Sequence, residues 1–268
     1  MEPGRGAADG PVLIFSDVHL DPAEPDKTAA FVRFCERMRP GGFAYVYCLG
    51  DLFHYWVGPG QEGLPEVAEP LAALGALAAG GTRLVLLHGN RDFHLGAEVR
   101  GWLGAGAAIV AGPLRVCHLG LRLHLEHGDL LCARDTRYRA MRRVIRHRAA
   151  VRAFRALPLR WRLAVASGLR ALSRRELARK SGPVLALCGA LLRRRVAGPI
   201  DAAVIGHVHR AQRREAVVQG RRRWVFSLGA WDHGNRSWLE IDREQIVLHD
   251  GPQGRCVLRT PAAAVRAG

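Results

Sequence analysis

Lysine is nearly absent from this chain. Of its 40 Lys and Arg residues only Lys27 and Lys180 are lysine, so its positive charge is almost wholly guanidinium, a group suited to planar, bidentate phosphate contacts. The six cysteines, at 35, 48, 117, 132, 188 and 256, include no Cys-x-x-Cys pair. That argues against a cysteine zinc site and a disulfide framework, and predicts reduced thiols. Long hydrophobic runs are also missing. The longest, 184–192 and 71–79, fall short of the about 18 to 20 residues that cross a bilayer. The opening Met-Glu-Pro-Gly-Arg-Gly lacks the basic start and apolar core of a signal peptide. A cytoplasmic protein is expected, one that meets a membrane only at its surface. With no low-complexity tract and 49% hydrophobic residues, the chain is expected to be globular.

Positive charge is what the chain has in excess, a formal +16 that points to an anionic partner. It is concentrated in one place. Between 134 and 195 there are 18 Arg and Lys180 against Asp135 and Glu176, a net of +17 that leaves the other 206 residues close to neutral. In this segment Tyr138, Met141, Val144, Ile145, Arg148 and Arg152 fall at helical spacing with arginines on the opposite arc, which predicts a basic amphipathic helix. Pro158, Ser167-Gly168 and Gly182-Pro183 punctuate the run, so two to four helices are expected there. The 268 residues then read as one domain with an inserted basic helical cap at 134–195.

Outside the cap, short apolar runs end abruptly in polar residues. The run 12–15 exits into Ser16-Asp17-Val18-His19, 44–49 into Gly50-Asp51, and 84–87 into His88-Gly89-Asn90-Arg91-Asp92. Further on, 121–125 exits into Glu126-His127-Gly128-Asp129, and 202–205 into Gly206-His207-Val208-His209. Another strand is expected at 224–227, and from Gly251 onward a strand end and a frayed terminus. Strand ends in α/β sheets converge on one rim. Asp17, His19, Asp51, Asn90, His127, His207 and His209 can therefore surround one cavity, with glycines where the backbone turns tightly. Two Asp, four His and one Asn suit a pair of divalent ions such as Mn²⁺, with Fe²⁺ or Zn²⁺ as alternatives. Two such ions clamp phosphoryl oxygens and activate a water, which is the chemistry of phosphoester or phosphoanhydride hydrolysis. His88, His94, His118, His124 and His249 have no role in this reading, and ordinary hydrogen bonding is expected for His88 and His124.

The ordered motifs Asp-x-His, Gly-Asp, Gly-Asn, His and Gly-His-x-His, from Asp17 to His209, resemble those of the calcineurin-like metallophosphoesterases. The resemblance covers nearly the whole chain and implies an α/β fold, a β-sandwich of two mixed sheets flanked by helices. It also implies that Asp17, His19 and His209 hold one metal, Asn90, His127 and His207 the other, and that Asp51 bridges them. Many members carry His after the Gly-Asn. Arg91 stands there instead and, unable to deprotonate near neutrality, would act as an electrostatic clamp.

Gly-Asn-Arg-Asp, Gly-Asp-Leu-Phe at 50–53 and His-Gly-Asp at 127–129 are similar to the UDP-2,3-diacylglucosamine pyrophosphatases of bacterial lipid A synthesis. That likeness implies attack of a metal-bound hydroxide on the α-phosphorus, giving UMP and 2,3-diacylglucosamine 1-phosphate. Asp17, Asp51, Asn90, Arg91, His127 and His207 would form the catalytic set. Asn90, Arg91, Asp135, Tyr138, Arg170, Ser173, Lys180 and His207 would bind substrate, and helices carrying Leu169, Leu172, Leu177 and Leu185 could line an acyl slot. Leu177, His54 and Pro59 depart from the pattern and bear on which glycolipid is accepted. The expected protein is a monomer taking an anionic glycolipid, its basic cap resting on the cytoplasmic face of the bacterial inner membrane. A metal-dependent nuclease or nucleotide phosphodiesterase is the alternative, but nucleic acid is the weaker partner, because the cap interleaves arginine with aliphatics more than with stacking aromatics. The full ligand set argues against a non-catalytic scaffold.

Overall fold

The central strands β1 (Val12–Phe15), β2 (Tyr45–Cys48) and β7 (Ala202–Ile205) of the computed structural model are buried on both faces, and that pattern dictates the layering. The structure describes residues 10–132, 136–179 and 188–267. Strands β1 (Val12–Phe15), β2 (Tyr45–Cys48), β3 (Arg83–Leu87) and β4 (Ala108–Val110) run parallel, in that order. Three antiparallel strands extend the other edge: β10 (Trp238–Ile241), β11 (Gln245–Asp250) and β12 (Arg255–Pro261). The sheet therefore has seven strands, ordered β12-β11-β10-β1-β2-β3-β4. A second mixed sheet holds β5 (Leu114–His118), β6 (Leu121–Glu126), β7 (Ala202–Ile205), β9 (Arg221–Ser227) and β8 (Gln212–Val218), in that spatial order.

Side chains alternate across each strand. Val12, Ile14, Tyr47 and Leu87 pack between the sheets against Leu123, Leu125, Val204 and Phe226. Leu13, Phe15, Val46 and Leu86 face the other way and are covered by α1 (Pro25–Met38), α2 (Pro65–Ala78) and α3 (Arg100–Leu103) through Phe31, Phe34, Leu71, Leu74 and Leu103. Behind the second sheet, Ala203, Ile205 and Val225 pack against Leu192 and Val196. Because β1, β2, β3 and β7 are covered on both faces, strands such as Val-Leu-Ile-Phe carry no polar alternation. His124 and Glu126 share the outward side of β6, with His124 Nε2 3.2 Å from Glu126 Oε1. His88 Nε2 bonds the Leu95 carbonyl at 2.7 Å. All six cysteines are free.

Between β6 and β7 the described residues contain four helices: α4 (Thr136–Ile145), α5 (Arg148–Ala156), α6 (Leu159–Arg179) and α7 (Gly189–Arg195). Three expectations are corrected here. The 138–152 stretch is not one helix, because α4 stops at Ile145 and the His147 ring caps α5 by accepting from Ala149 N at 3.3 Å. Pro158 does separate α5 from α6, but Ser167-Gly168 lies inside α6, where exposed Gly168 continues the helix. The end of the chain is not frayed either. The strand β12 pairs along β11, and α8 (Ala262–Arg266) buries Ala262 and Val265 against the inter-sheet core.

Candidate metal centre

The carboxyl ends of β1, β2, β3, β6 and β7 meet at one rim, and there the backbone leaves regular conformation. Asp17, His19, Asp51, His207 and His209 have φ between 53° and 68°, the left-handed region that non-glycine residues avoid. These turns re-aim each side chain from along the strand into the space between the sheets. They are fixed by backbone bonds from Asp17 N to Gly50 O (3.1 Å), His19 N to Asp51 O (3.0 Å) and Trp231 N to Asp17 O (3.0 Å). Two of the motif glycines serve close approach rather than turning. A Cβ at Gly89 would lie 2.1 Å from Asp51 Oδ1, and one at Gly206 would lie 2.5 Å from Asp17 Oδ2.

Two clusters with metal-ligand character result: Asp17, His19 and His209, and Asp17, Asp51 and His127, each with ligand atoms mutually within 4.8 Å. Asp51 Oδ2 stands between them, 3.3 Å from His19 Nε2 and 3.8 Å from His127 Nε2. Asn90 Oδ1 lies 2.8 Å from His127 Nε2 and 3.0 Å from His207 Nδ1. The seven residues read from the strand exits thus gather at one rim. The buried Asp17 Oδ1 has no hydrogen-bond partner, yet lies 3.5 Å from His209 Nε2 and 3.8 Å from His19 Nε2. A desolvated carboxylate oxygen among imidazoles fits a divalent cation. The donor set suits two ions.

Burial alone would raise the Asp17 and Asp51 carboxyls. For Asp17 the His209, His127 and His19 rings outweigh it, and for Asp51 His127, His19 and Arg91 do, so both are held below the usual carboxylate range. Burial and the neighbouring His127 push His207 down to about 4, leaving a neutral imidazole at pH 7. Asp92, lifted to about 6 by burial and by Asp51, accepts from Gly89 N and Leu52 N at 2.8 Å each. It ties together the loops that follow β2 and β3.

Arg91 grips Asp51 twice, through its backbone N–H to Oδ1 (2.9 Å) and its Nε to Oδ2 (3.3 Å). Its Nη1 lies 3.3 Å from His54 Nδ1, so that departure from the family pattern sits against the clamp. Of the expected substrate residues, Tyr138 reaches the rim, its ring 6.5 Å from that of His207 and its hydroxyl donating to Asp129 Oδ2. Arg170 and Ser173 lie on α6 with side chains outside the described residues, as do Leu172 and Leu177, while Asp135, Lys180 and Leu185 lie outside them altogether. Leu169 does not line an enclosed slot, because it is 49% exposed.

The amphipathic reading of α4 holds for the half-buried Tyr138 and Ile145 but fails for Met141 and Val144. Met141 and Val144 face solvent, while Arg142 Nε bonds Asp129 Oδ2 at 2.8 Å and Arg146 Nη2 bonds the Gly89 carbonyl, its guanidinium 4.7 Å above the Phe93 ring. Arg155 Nη2 bonds the His94 carbonyl at 2.7 Å. Arg162, only 6% exposed, donates to the carbonyls of Val57, Pro59 and Leu157 at 2.7, 2.6 and 3.0 Å. Asp129 stood in the His-Gly-Asp motif without an assigned role, and these inward arginines were not singled out in the sequence. The available signal was the spacing of Tyr138, Arg142 and Arg146, which shares one helical face.

The family pattern of calcineurin-like phosphoesterases matches residues 10–211. The chain is 38% identical over 234 residues to a UDP-2,3-diacylglucosamine hydrolase from Ralstonia nicotianae, covering 84% of this chain and 85% of that protein. It is 36% identical to one from Aeromonas salmonicida, covering 82% and 85%, and 35% identical to one from Azotobacter vinelandii, covering 86% and 94%. Among solved structures it is similar to a dimetal phosphatase from Danio rerio, with 11% identity, 94% and 98% coverage and a TM-score of 0.48.

Proposed function

The chain belongs to the calcineurin-like phosphoesterase family, and from that premise we propose that it hydrolyses the pyrophosphate of UDP-2,3-diacylglucosamine to UMP and 2,3-diacylglucosamine 1-phosphate. The relatives that carry this substrate in their names match over most of the chain. Two divalent ions, when bound, supply Lewis-acid stabilisation of phosphoryl oxygens and lower the pKa of a water. Asp17, His19 and His209 would hold one, Asn90, His127 and His207 the other, with Asp51 between. Mn²⁺ is our choice, on the mixed imidazole and carboxylate donors.

The observation that carries the proposal is Arg91 on Asp51 at the position after Gly89-Asn90. A guanidinium stabilises charge on phosphoryl oxygens but donates no proton near neutrality. A phosphate leaving group needs none, since its second ionisation lies near pH 6. An alkoxide leaving a phosphodiester does need one, so the arrangement favours an anhydride over nucleic acid. Tyr138, whose hydroxyl donates to Asp129 and whose ring lies 6.5 Å from that of His207, leaves its oxygen able to accept from a substrate hydroxyl.

Among the described residues no helix is long and apolar enough to cross a membrane. We place the protein on the cytoplasmic surface of the inner membrane through α6. Trp161, Val165 and Leu169, spaced four residues apart, form one stripe that is 56%, 41% and 49% exposed. The arginines around it suit anionic headgroups. Trp161→Glu is expected to lower co-sedimentation with anionic vesicles at moderate salt, and binding equal to that of the unaltered chain would remove α6 as the contact.

The activity test is phosphorus-31 NMR of products formed from UDP-2,3-diacylglucosamine in ¹⁸O water with Mn²⁺, beside Asp51→Ala and a single-stranded DNA digest. Labelled UMP, absent with Asp51→Ala, is expected. DNA cleavage without lipid turnover would overturn the assignment in favour of a nuclease.

A further inference from the structure

We infer that Asp232 is a positioning residue for His209, and that through it Lys27 and Glu24 at the start of α1 help set the affinity of one metal position. This rests on the reading of His209 as a ligand. His209 is the most exposed of the seven candidate ligands. Its Nε2 faces Asp17 Oδ1 at 3.5 Å, and its Nδ1 faces Asp232 Oδ2 at 3.6 Å. An imidazole that gives a lone pair to an ion must carry its proton on the other nitrogen, and an acceptor at that nitrogen fixes both tautomer and ring orientation. His127 has such an acceptor in the buried Leu49 carbonyl, 3.0 Å from its Nδ1. For His209 the corresponding group is a side-chain carboxylate near solvent.

That carboxylate is held in place. The adjoining Trp231 is buried, with its backbone N–H on the Asp17 carbonyl at 3.0 Å and its indole N–H on the Ser237 carbonyl at 3.0 Å. Asp232's own carbonyl accepts from Asn235 N at 2.9 Å. Its second carboxylate oxygen meets Lys27 Nζ at 3.5 Å, and Lys27 is paired to Glu24 at 2.7 Å. The ligand Asp17 and the orienter Asp232 are therefore linked through one residue of backbone. A relay of alternating charge runs from α1 to Nδ1 of His209, outside the residues that would touch an ion or a substrate.

The test is calorimetric titration of Mn²⁺ into the metal-stripped full chain, unaltered and as Asp232→Ala, Asp232→Asn, Lys27→Met and His209→Ala. The unaltered chain is expected to take two ions and His209→Ala one. Asp232→Ala should keep two, with one weakened by about 10- to 100-fold and the other unchanged. Asp232→Asn, whose amide oxygen can still accept from Nδ1, should recover most of the loss, and Lys27→Met should give a smaller loss than Asp232→Ala. With Zn²⁺, long-range ¹H–¹⁵N NMR should show His209 protonated at Nδ1 only, and a tautomer mixture after Asp232→Ala. Two unchanged affinities, or equal weakening of both positions, in Asp232→Ala would overturn the positioning role. Failure of the unaltered chain to bind two ions would overturn the metal-centre reading itself, and the positioning role with it.

Discussion

Asn90 Oδ1 lies 2.8 Å from Nε2 of His127, whose other ring nitrogen is 3.0 Å from the Leu49 carbonyl. Both partners can accept, an arrangement that favours a proton on each ring nitrogen. Although burial opposes it, the charges of Asp51, Asp17 and Asp129 raise the His127 pKa and support that imidazolium. Metal loading must then expel the Nε2 proton. Calorimetry in two buffers of different ionisation enthalpy at pH 7 should show about one proton released with the ion that Asn90 and His127 share. A binding heat independent of buffer would contradict it. Asn90→Ala should weaken that ion selectively.

Arg91→Lys keeps the charge but loses the planar fork that spans Asp51 and the rim. Metal content, measured by elemental analysis, is expected to be unchanged, while kcat/KM falls by about 10²–10³. An unaltered rate would mean that Arg91 serves only to brace Asp51.

Arg162→Ala strands the carbonyls of Val57, Pro59 and Leu157. Urea unfolding should show a loss of about 1–3 kcal/mol. Arg162→Lys should recover part of this, since one ammonium cannot reach all three carbonyls. A cost within error would show that the loop after Asp51 holds without the cap.

His118 gives a pH dependence unconnected with metal. It is buried, with Tyr47 Oη 2.7 Å from its Nε2 and the Tyr45 ring tilted against it at 4.3 Å, and burial pushes it from the ordinary 6.5 down to about 4. At pH 7 the ring is neutral both folded and unfolded. As pH falls through 6.5 the unfolded chain protonates first, so stability is lost down to about pH 4, by at most about 3 kcal/mol. His118→Gln retains a partner for Tyr47 without the titration. Its stability difference between pH 7 and pH 4 should be smaller than that of the unaltered chain, and an equal difference would assign the acid loss elsewhere.

The metal rim was legible because its grammar is local. An apolar run buried on both faces and broken by Asp, His or Gly marks a strand exit, and β1, β2, β3 and β7 carry that mark, while β6 alternates leucine with Arg122 and His124 before its exit. The antiparallel edge was harder to read. Strand β8 mixes arginine with valine, and β12 leaves Cys256 and Val257 exposed, so neither shows the continuous hydrophobicity of the central strands. The cap was legible as helical and basic but not in its orientation. An arginine donating to a buried carbonyl and one waving in solvent occupy identical positions in a charge count. Met141 and Val144 look like a core stripe until the structure turns Tyr138, Arg142 and Arg146 inward.

Arg146, Arg155 and Arg162 each reach out of the cap to a carbonyl in a loop that follows a metal-binding strand. The cap and the metal rim are for that reason not separable modules. A foreign cap grafted at 134–195 would inherit a working centre only if guanidinium donors arrived at these three places. Random exchange of cap arginines for lysine, harmless by charge, would loosen the loops at the rim.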